Sequence, residues 1–165
     1  MITSKSELRT KLKHARAALT PEERRTASAA IANRLKQATD WSNVTTLHCF
    51  EPIARLNEVD ISSFITTLRA EHPNIKIHTP QKANNTWQIP DLKFDVIIVP
   101  TLGFDPKTLH RIGYGGGYYD KFLATQPQAQ KIGVCFGQGK LDQIPNEPHD
   151  IALNVIITEN HIYRS

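Results

Sequence analysis

The run Phe94-Asp95-Val96-Ile97-Ile98-Val99 sets the strongest limit on what this chain can fold into. Four consecutive β-branched residues leave no polar face, so the segment fits a strand buried on both sides. Such a strand belongs at the centre of a sheet. The rest of the chain supplies helical and apolar strand segments in alternation, which implies a layered α/β architecture with a mainly parallel sheet.

Local signals place the other elements. Leu8, Leu12, Ala15 and Leu19 recur at helical steps, predicting a helix over residues 4–19 whose other faces carry basic side chains. Thr20-Pro21-Glu22-Glu23 reads as a second helix start, with Thr20 as N-cap, Pro21 at the first helical position and Glu23 closing a capping box; the Ala-rich segment then runs to Ala38. Val44 to Phe50 is strand-like, and Glu51-Pro52 stops it before a loop from Ile53 to Asn57. Val59, Ile61, Phe64, Ile65 and Leu68 predict a third helix over residues 58–69. Ile75 to Thr79 alternates as a strand, and Asn84-Asn85 turns into a short strand over Thr86 to Ile89, giving a hairpin. Ile132 to Phe136 and Leu153 to Ile157 are further apolar strands. The expectation is one domain over residues 1–165, a three-layer α/β/α sandwich with a mainly parallel central sheet and an N-terminal helical pair somewhat apart from it.

Composition narrows the class. With 165 residues, 39% of them hydrophobic, the chain can bury a core without disulfides or a structural metal. No apolar run approaches the roughly 20 residues of a membrane span, and Met1-Ile2-Thr3-Ser4-Lys5 lacks the apolar stretch of a signal peptide, so a soluble cytoplasmic protein with no membrane partner is expected. Cys49 and Cys135 lie in apolar stretches and read as buried thiols. A net charge of +4 suits an anionic ligand. The basic N-terminal helix carries no interleaved aromatics, which argues against nucleic acid as a partner.

The chemistry concentrates in Arg111-Ile112-Gly113-Tyr114-Gly115-Gly116-Gly117-Tyr118-Tyr119-Asp120. Four glycines in five positions follow the buried strand and open a helix. Backbone N–H groups can then approach an anion closely, with the helix N-terminus adding positive charge, so phosphate is the natural guest. No Gly-Lys-Ser/Thr follows, which excludes a Walker A loop. Arg111 can pair with phosphate, Asp120 can hold Mg²⁺, and Tyr118 and Tyr119 can stack on a flat ring.

This run, preceded by Val99-Pro-Thr-Leu-Gly-Phe-Asp105, closely resembles the 5-formyltetrahydrofolate cyclo-ligase family. The resemblance extends to Lys5-Ser-Glu-Leu-Arg9, Asn57-Glu-Val-Asp60, Ile144-Pro-Asn-Glu-Pro-His-Asp150 and Val155-Ile-Ile-Thr158. It implies an ATP- and Mg²⁺-dependent enzyme that converts 5-formyltetrahydrofolate to 5,10-methenyltetrahydrofolate, as a monomer or weak dimer. It also implies roles residue by residue. Lys5 and Arg9 would reach ATP phosphates, with Lys5 and Arg111 acting in catalysis. Arg111, Ile112, Gly113, Tyr114, Gly115, Gly116, Gly117, Tyr118 and Tyr119 would form the ATP loop, the stretch from Tyr114 to Tyr118 also meeting the folate. Ile53 and Glu58 would contact the folate, and Asp120 and Asp150 the metal.

Blander readings stand beside these. Lys5 and Arg9 also fit a solvated basic face, Asp120 a helix-dipole partner, Asp150 a loop cap, and Glu58 a charge at a helix N-terminus. Trp41 and Trp87 read as core or hairpin residues before pterin-stacking ones, and His149 as a structural histidine before a proton carrier. Two positions depart from the family pattern: Gly116 stands where some members have Lys, and Gly139 where a Gln is common, with Gln138 one residue early. A non-catalytic nucleotide- or phosphate-binding module is the alternative function.

Overall fold

The computed structural model describes residues 3–165 and contains a six-stranded sheet in the order β10-β9-β8-β5-β1-β2. The central pair is β5 (Val96–Pro100), the β-branched run, and β8 (Gln130–Val134), joined in parallel from Val96 opposite Gln130 to Pro100 opposite Val134. Parallel neighbours follow on both sides: β1 (Thr46–His48) and β2 (Lys76–His78) on one, β9 (Val155–Ile157) on the other. Only β10 (Ile162–Arg164) runs antiparallel, closing the sheet edge against β9.

Alternation along β5 assigns the two faces. Val96 and Ile98 pack with Ile31 and Leu35 of α2 (Pro21–Leu35) and with Phe64 and Leu68 of α3 (Ser62–Glu71). Ile97 and Val99 point the other way, toward Phe122 and Leu123 of α4 (Tyr118–Ala124). These side chains are almost wholly buried, and each contributes about 1.5–3 kcal/mol by leaving water.

The two N-terminal helices do different work. α2 starts as its sequence dictates: Thr20 accepts from the Glu23 N–H, the Glu23 carboxylate accepts from the Thr20 N–H, and Pro21 occupies the first turn. It lies on the sheet. α1 (Lys5–Ala17), capped by a Ser4–Glu7 box, instead sets Leu8 and Leu12 against Leu102, Ile112 and Ile144, in the segments that follow the carboxyl ends of β5 and β8.

Two expectations shift and a third holds. The third helix begins at Ser62, four residues after Glu58, because Asp60 takes the Ser62 N–H at 2.9 Å and ends the preceding loop. Val59 and Ile61 are buried, but outside the helix, Ile61 as its N-cap residue. The loop after β5 is partly ordered as a two-stranded ladder, β6 (Gly103–Phe104) with β7 (Arg111–Ile112). The expected hairpin forms as β3 (Gln81–Ala83) and β4 (Thr86–Gln88), with Asn84 and Asn85 both at positive φ as a type I′ turn requires. Cys49 and Cys135 are free and buried, and burial pushes the Cys135 thiol up to about 12, so it stays protonated and unreactive. Among the described residues, no helix is long and apolar enough to cross a membrane.

Candidate active site

One cavity of about 770 Å³ opens where the chain leaves the carboxyl ends of β1 and β5, and all fifteen site residues named from the sequence line it. They come from six places. Lys5 and Arg9 lie on α1; Ile53 and Glu58 follow β1; Arg111 and Ile112 form β7; Gly113 to Gly117 make the glycine loop; Tyr118, Tyr119 and Asp120 open α4, and Asp150 precedes β9. Parallel strands ending together put these loops side by side, which is where open α/β sheets bind ligands.

The glycine loop is shaped by two left-handed positions, Gly115 at φ 96° and Gly117 at φ 72°. A side chain at Gly115 would meet the Arg9 guanidinium at 3.2 Å, so the loop backbone lies directly on α1. Arg9 fixes that approach, its Nε donating to the Gly113 carbonyl at 2.9 Å. Gly117 precedes a helix of only seven residues. The loop N–H groups and the nearby cations, rather than a helix dipole, are therefore the features of this wall suited to an anion.

The cations and carboxylates pair within the cavity. Arg111, with 7% of its side chain exposed, donates from Nη2 to Asp120 Oδ1 at 3.1 Å and from Nη1 to the Ile151 carbonyl at 3.0 Å. The Asp120 oxygen also accepts the Ile151 N–H at 3.3 Å. Lys5 forms an ion pair with Asp150, which accepts the Glu147 N–H as well. Burial by itself would raise the Asp150 carboxyl, but the Lys5 and Glu147 hydrogen bonds and the charges of Lys5 and His149 hold it below the usual carboxylate range. Among the described residues, no three acidic, histidine or cysteine side chains converge to bind a metal ion. The carboxylates of Asp120 and Asp150 are of a type that suits Mg²⁺, but the two alone make no metal cage.

Glu58 sits opposite, its Oε2 accepting the Ile53 N–H at 2.7 Å and thereby tying two residues of the predicted folate segment together. It caps no helix. Burial raises its carboxyl, against the opposing pull of the Ile53 hydrogen bond and the Arg16 charge. Trp87, on the β3–β4 hairpin, is 44% exposed and lines the cavity 6.3 Å from the Tyr118 ring, whose hydroxyl donates to the Gln88 carbonyl. Trp41 belongs to the core, 5.2 Å from Phe64, with its indole N–H on the Leu35 carbonyl. His149 is exposed and contacts Glu147 at 3.1 Å.

One of the two departures has a steric reason, and nothing in the structure explains the other. A side chain at Gly139 would strike Cys135 Sγ and the Leu102 carbonyl, both at 2.6 Å, so no Gln fits there. Gln138 is present one residue earlier, with both amide atoms buried and unpartnered. At Gly116 a side chain would meet nothing within 4 Å, so that position is open space. Sequence reasoning missed Arg16, which lies buried beneath Tyr114; its only signal was its place on the stripe of Leu8 and Leu12.

Fold and cavity together define a mixed α/β protein whose cavity is walled by a glycine loop at the carboxyl ends of parallel strands. The model of the 5-formyltetrahydrofolate cyclo-ligase family matches residues 52–159, and the chain belongs to that family. A 5-formyltetrahydrofolate cyclo-ligase from Mycoplasma pneumoniae is 32% identical over 127 residues, covering 70% of this chain and 74% of the relative. The solved structure of a 5,10-methenyltetrahydrofolate synthetase from Mycoplasma pneumoniae superposes with a TM-score of 0.82 at 26% identity, over 95% of this chain and 99% of that one. The 5,10-methenyltetrahydrofolate synthetase of Aquifex aeolicus superposes with a TM-score of 0.77 at 26% identity, over 97% and 92%.

Proposed function

We propose that this chain is a 5-formyltetrahydrofolate cyclo-ligase, which closes 5-formyltetrahydrofolate to 5,10-methenyltetrahydrofolate as ATP is cleaved to ADP and phosphate. The observation that carries the reading is the convergence of phosphate-type donors and a buried carboxylate on one cavity. The chemistry asks for both. A formamide carbonyl is a weak electrophile with a poor leaving oxygen; transfer of the γ-phosphoryl group to that oxygen makes it a phosphate. N10 then attacks the same carbon, loses its proton, and the phosphate departs with the former formyl oxygen.

Such a transfer is helped chiefly by alignment and charge neutralisation. Lys5 and Arg9, four apart on one face of α1, together with the loop N–H groups of residues 113–117, are suited to the triphosphate. Arg111 is suited to the oxygen that gains charge. To reach phosphate, Lys5 and Arg111 exchange Asp150 and Asp120 for the nucleotide, so no cation crosses the reaction without an anionic partner. The carboxylates so released would hold Mg²⁺, whose chemistry when bound is to neutralise phosphate charge. Glu58, with one oxygen engaged by Ile53, suits the paired donors of an aminopyrimidine edge, and Ile53, Tyr114 and Tyr118 suit its flat faces. We further propose that residues 1–165 act as one unit, a monomer or weak dimer in the cytoplasm, with only small molecules as partners.

The test is absorbance in the methenyltetrahydrofolate band after mixing purified protein, 5-formyltetrahydrofolate, Mg²⁺ and ATP. An ATP-dependent rise is expected. A flat trace from folded protein that still binds ATP would refute the enzyme and leave the binding module.

A further inference from the structure

Arg16 is the buried cation of α1, with 4% of its surface exposed. Its guanidinium lies 5.4 Å from the centre of the Tyr114 ring, and Lys13 Nζ lies 5.5 Å from the same ring. Among the described residues, the Arg16 side chain makes no ion pair and no hydrogen bond. The Tyr114 hydroxyl is likewise buried without a partner.

Packing does not require this arrangement. Arg16 continues the stripe of Leu8 and Leu12, which faces Leu102, Ile112 and Ile144, and an apolar side chain of equal length would fill the position. Burying a lone guanidinium is costly, whereas a hydrophobic replacement is commonly neutral or stabilising. The charge is therefore retained for something other than the fold. Its ring neighbour Tyr114, 5.4 Å away, is cavity wall, and so is Glu58, which lies beyond ion-pair distance but whose charge favours the cationic form of Arg16 against the pull of burial.

We propose that Arg16 is a positioning residue for the folate half of the site: from beneath the glycine loop it fixes the Tyr114 ring and supplies the countercharge to Glu58, without touching substrate. The inference rests on the cyclo-ligase reading. It makes the folate side of the cavity depend on a charge that the phosphate side does not use, since Lys5, Arg9 and Arg111 serve the latter. Loss of that charge weakens folate binding while leaving ATP binding and the fold intact.

Arg16→Met and Arg16→Lys separate charge from packing. For Arg16→Met the melting temperature should be equal to or above that of the wild type. Its KM for 5-formyltetrahydrofolate should rise about tenfold, with the KM for ATP within about twofold. Arg16→Lys keeps the charge over the ring and should hold the folate KM within about threefold of wild type. An unchanged folate KM in folded Arg16→Met overturns the proposal. So does a lowered melting temperature with both KM values rising together, which is the mark of a packing role. If Arg16→Met does not fold, Arg16→Gln takes its place against Arg16→Lys, and equal folate KM values for those two overturn the proposal. A wild-type chain that neither turns over nor binds 5-formyltetrahydrofolate refutes the cyclo-ligase reading itself, and the inference falls with it. A working wild type beside an unaltered variant refutes the inference alone.

Discussion

Replacing Gly115 with Ala probes the glycine loop where it touches α1. Two costs can be worked from the geometry. The residue sits at φ 96°, a conformation that costs an L side chain about 1–3 kcal/mol. The new Cβ would also lie 3.2 Å from Arg9 Cζ and 3.3 Å from its Nε, so the guanidinium must move. That guanidinium holds the Gly113 carbonyl at 2.9 Å, a charged hydrogen bond worth about 1.5–3 kcal/mol when buried and less here, where Arg9 is partly exposed. A net loss of about 2 kcal/mol corresponds to a fall in melting temperature of about 4–8 °C for a chain of this size. Because Arg9 is the proposed phosphate contact, the KM for ATP should rise about tenfold in the methenyltetrahydrofolate assay. Gly116→Ala is the control for stability, since its Cβ meets nothing and its φ is not positive; its melting temperature should stay within about 1 °C of wild type. Equal melting temperatures for the two variants would refute the argument from backbone strain. An unaltered ATP KM in Gly115→Ala would remove Arg9 and the loop from the phosphate site.

Three further outcomes are expected. Arg111→Ala should lower the rate tenfold or more and also cost about 1–3 kcal/mol in denaturant melts, because it strips partners from Asp120 and the Ile151 carbonyl; a full rate in the folded variant would exclude Arg111 from the chemistry. Lys5→Met should raise the KM for ATP about tenfold with little effect on that for folate, and equal rises in both would argue for a general collapse of the cavity. His48 is buried against Phe94 and Phe122 with both ring nitrogens unpartnered, and burial, aided by the charge of His78, lowers it to about 4. Below the ordinary value near 6.5 the unfolded chain takes up a proton that the folded one refuses. Stability is therefore full above about pH 6.5 and falls by up to about 3 kcal/mol as pH drops toward 4, a slope that His48→Phe should reduce and whose persistence in that variant would assign it elsewhere.

Where physics acts locally, the sequence is legible. The Thr20-Pro21-Glu23 start, the Asn84-Asn85 turn and the β-branched run of β5 each carry their conformation in a few adjacent residues, and each forms as read. Elements stabilised only by distant partners leave no such trace. β6 and β7 are two residues each, too short for any period, and exist because Gly103 meets Ile112 and Phe104 meets Arg111 across the loop. β10 is three residues whose only strand signal is β9 beside it. The start of α3 was masked because Val59 and Ile61 are buried in irregular chain ahead of the helix, at spacings that mimic a helix.

The candidate site divides along the same line. Residue type, motif and family resemblance gave its membership, since the fifteen site residues named from the sequence line a single cavity. What they could not give is pairing. Arg111 looks like a free phosphate fork in the sequence and is tied to Asp120; Lys5 looks like a solvated charge and is tied to Asp150. Both pairs join a proposed phosphate ligand to a proposed metal ligand, separated by 9 residues in one case and 145 in the other. This pairing makes physical sense of a site without a preformed metal cage. Concentrated positive charge would repel itself in a half-buried cavity, and concentrated carboxylates would do the same. Alternating the two neutralises both before a ligand enters, and an incoming metal–nucleotide complex carries both signs of charge, so that each side chain can trade one partner for another of the same sign.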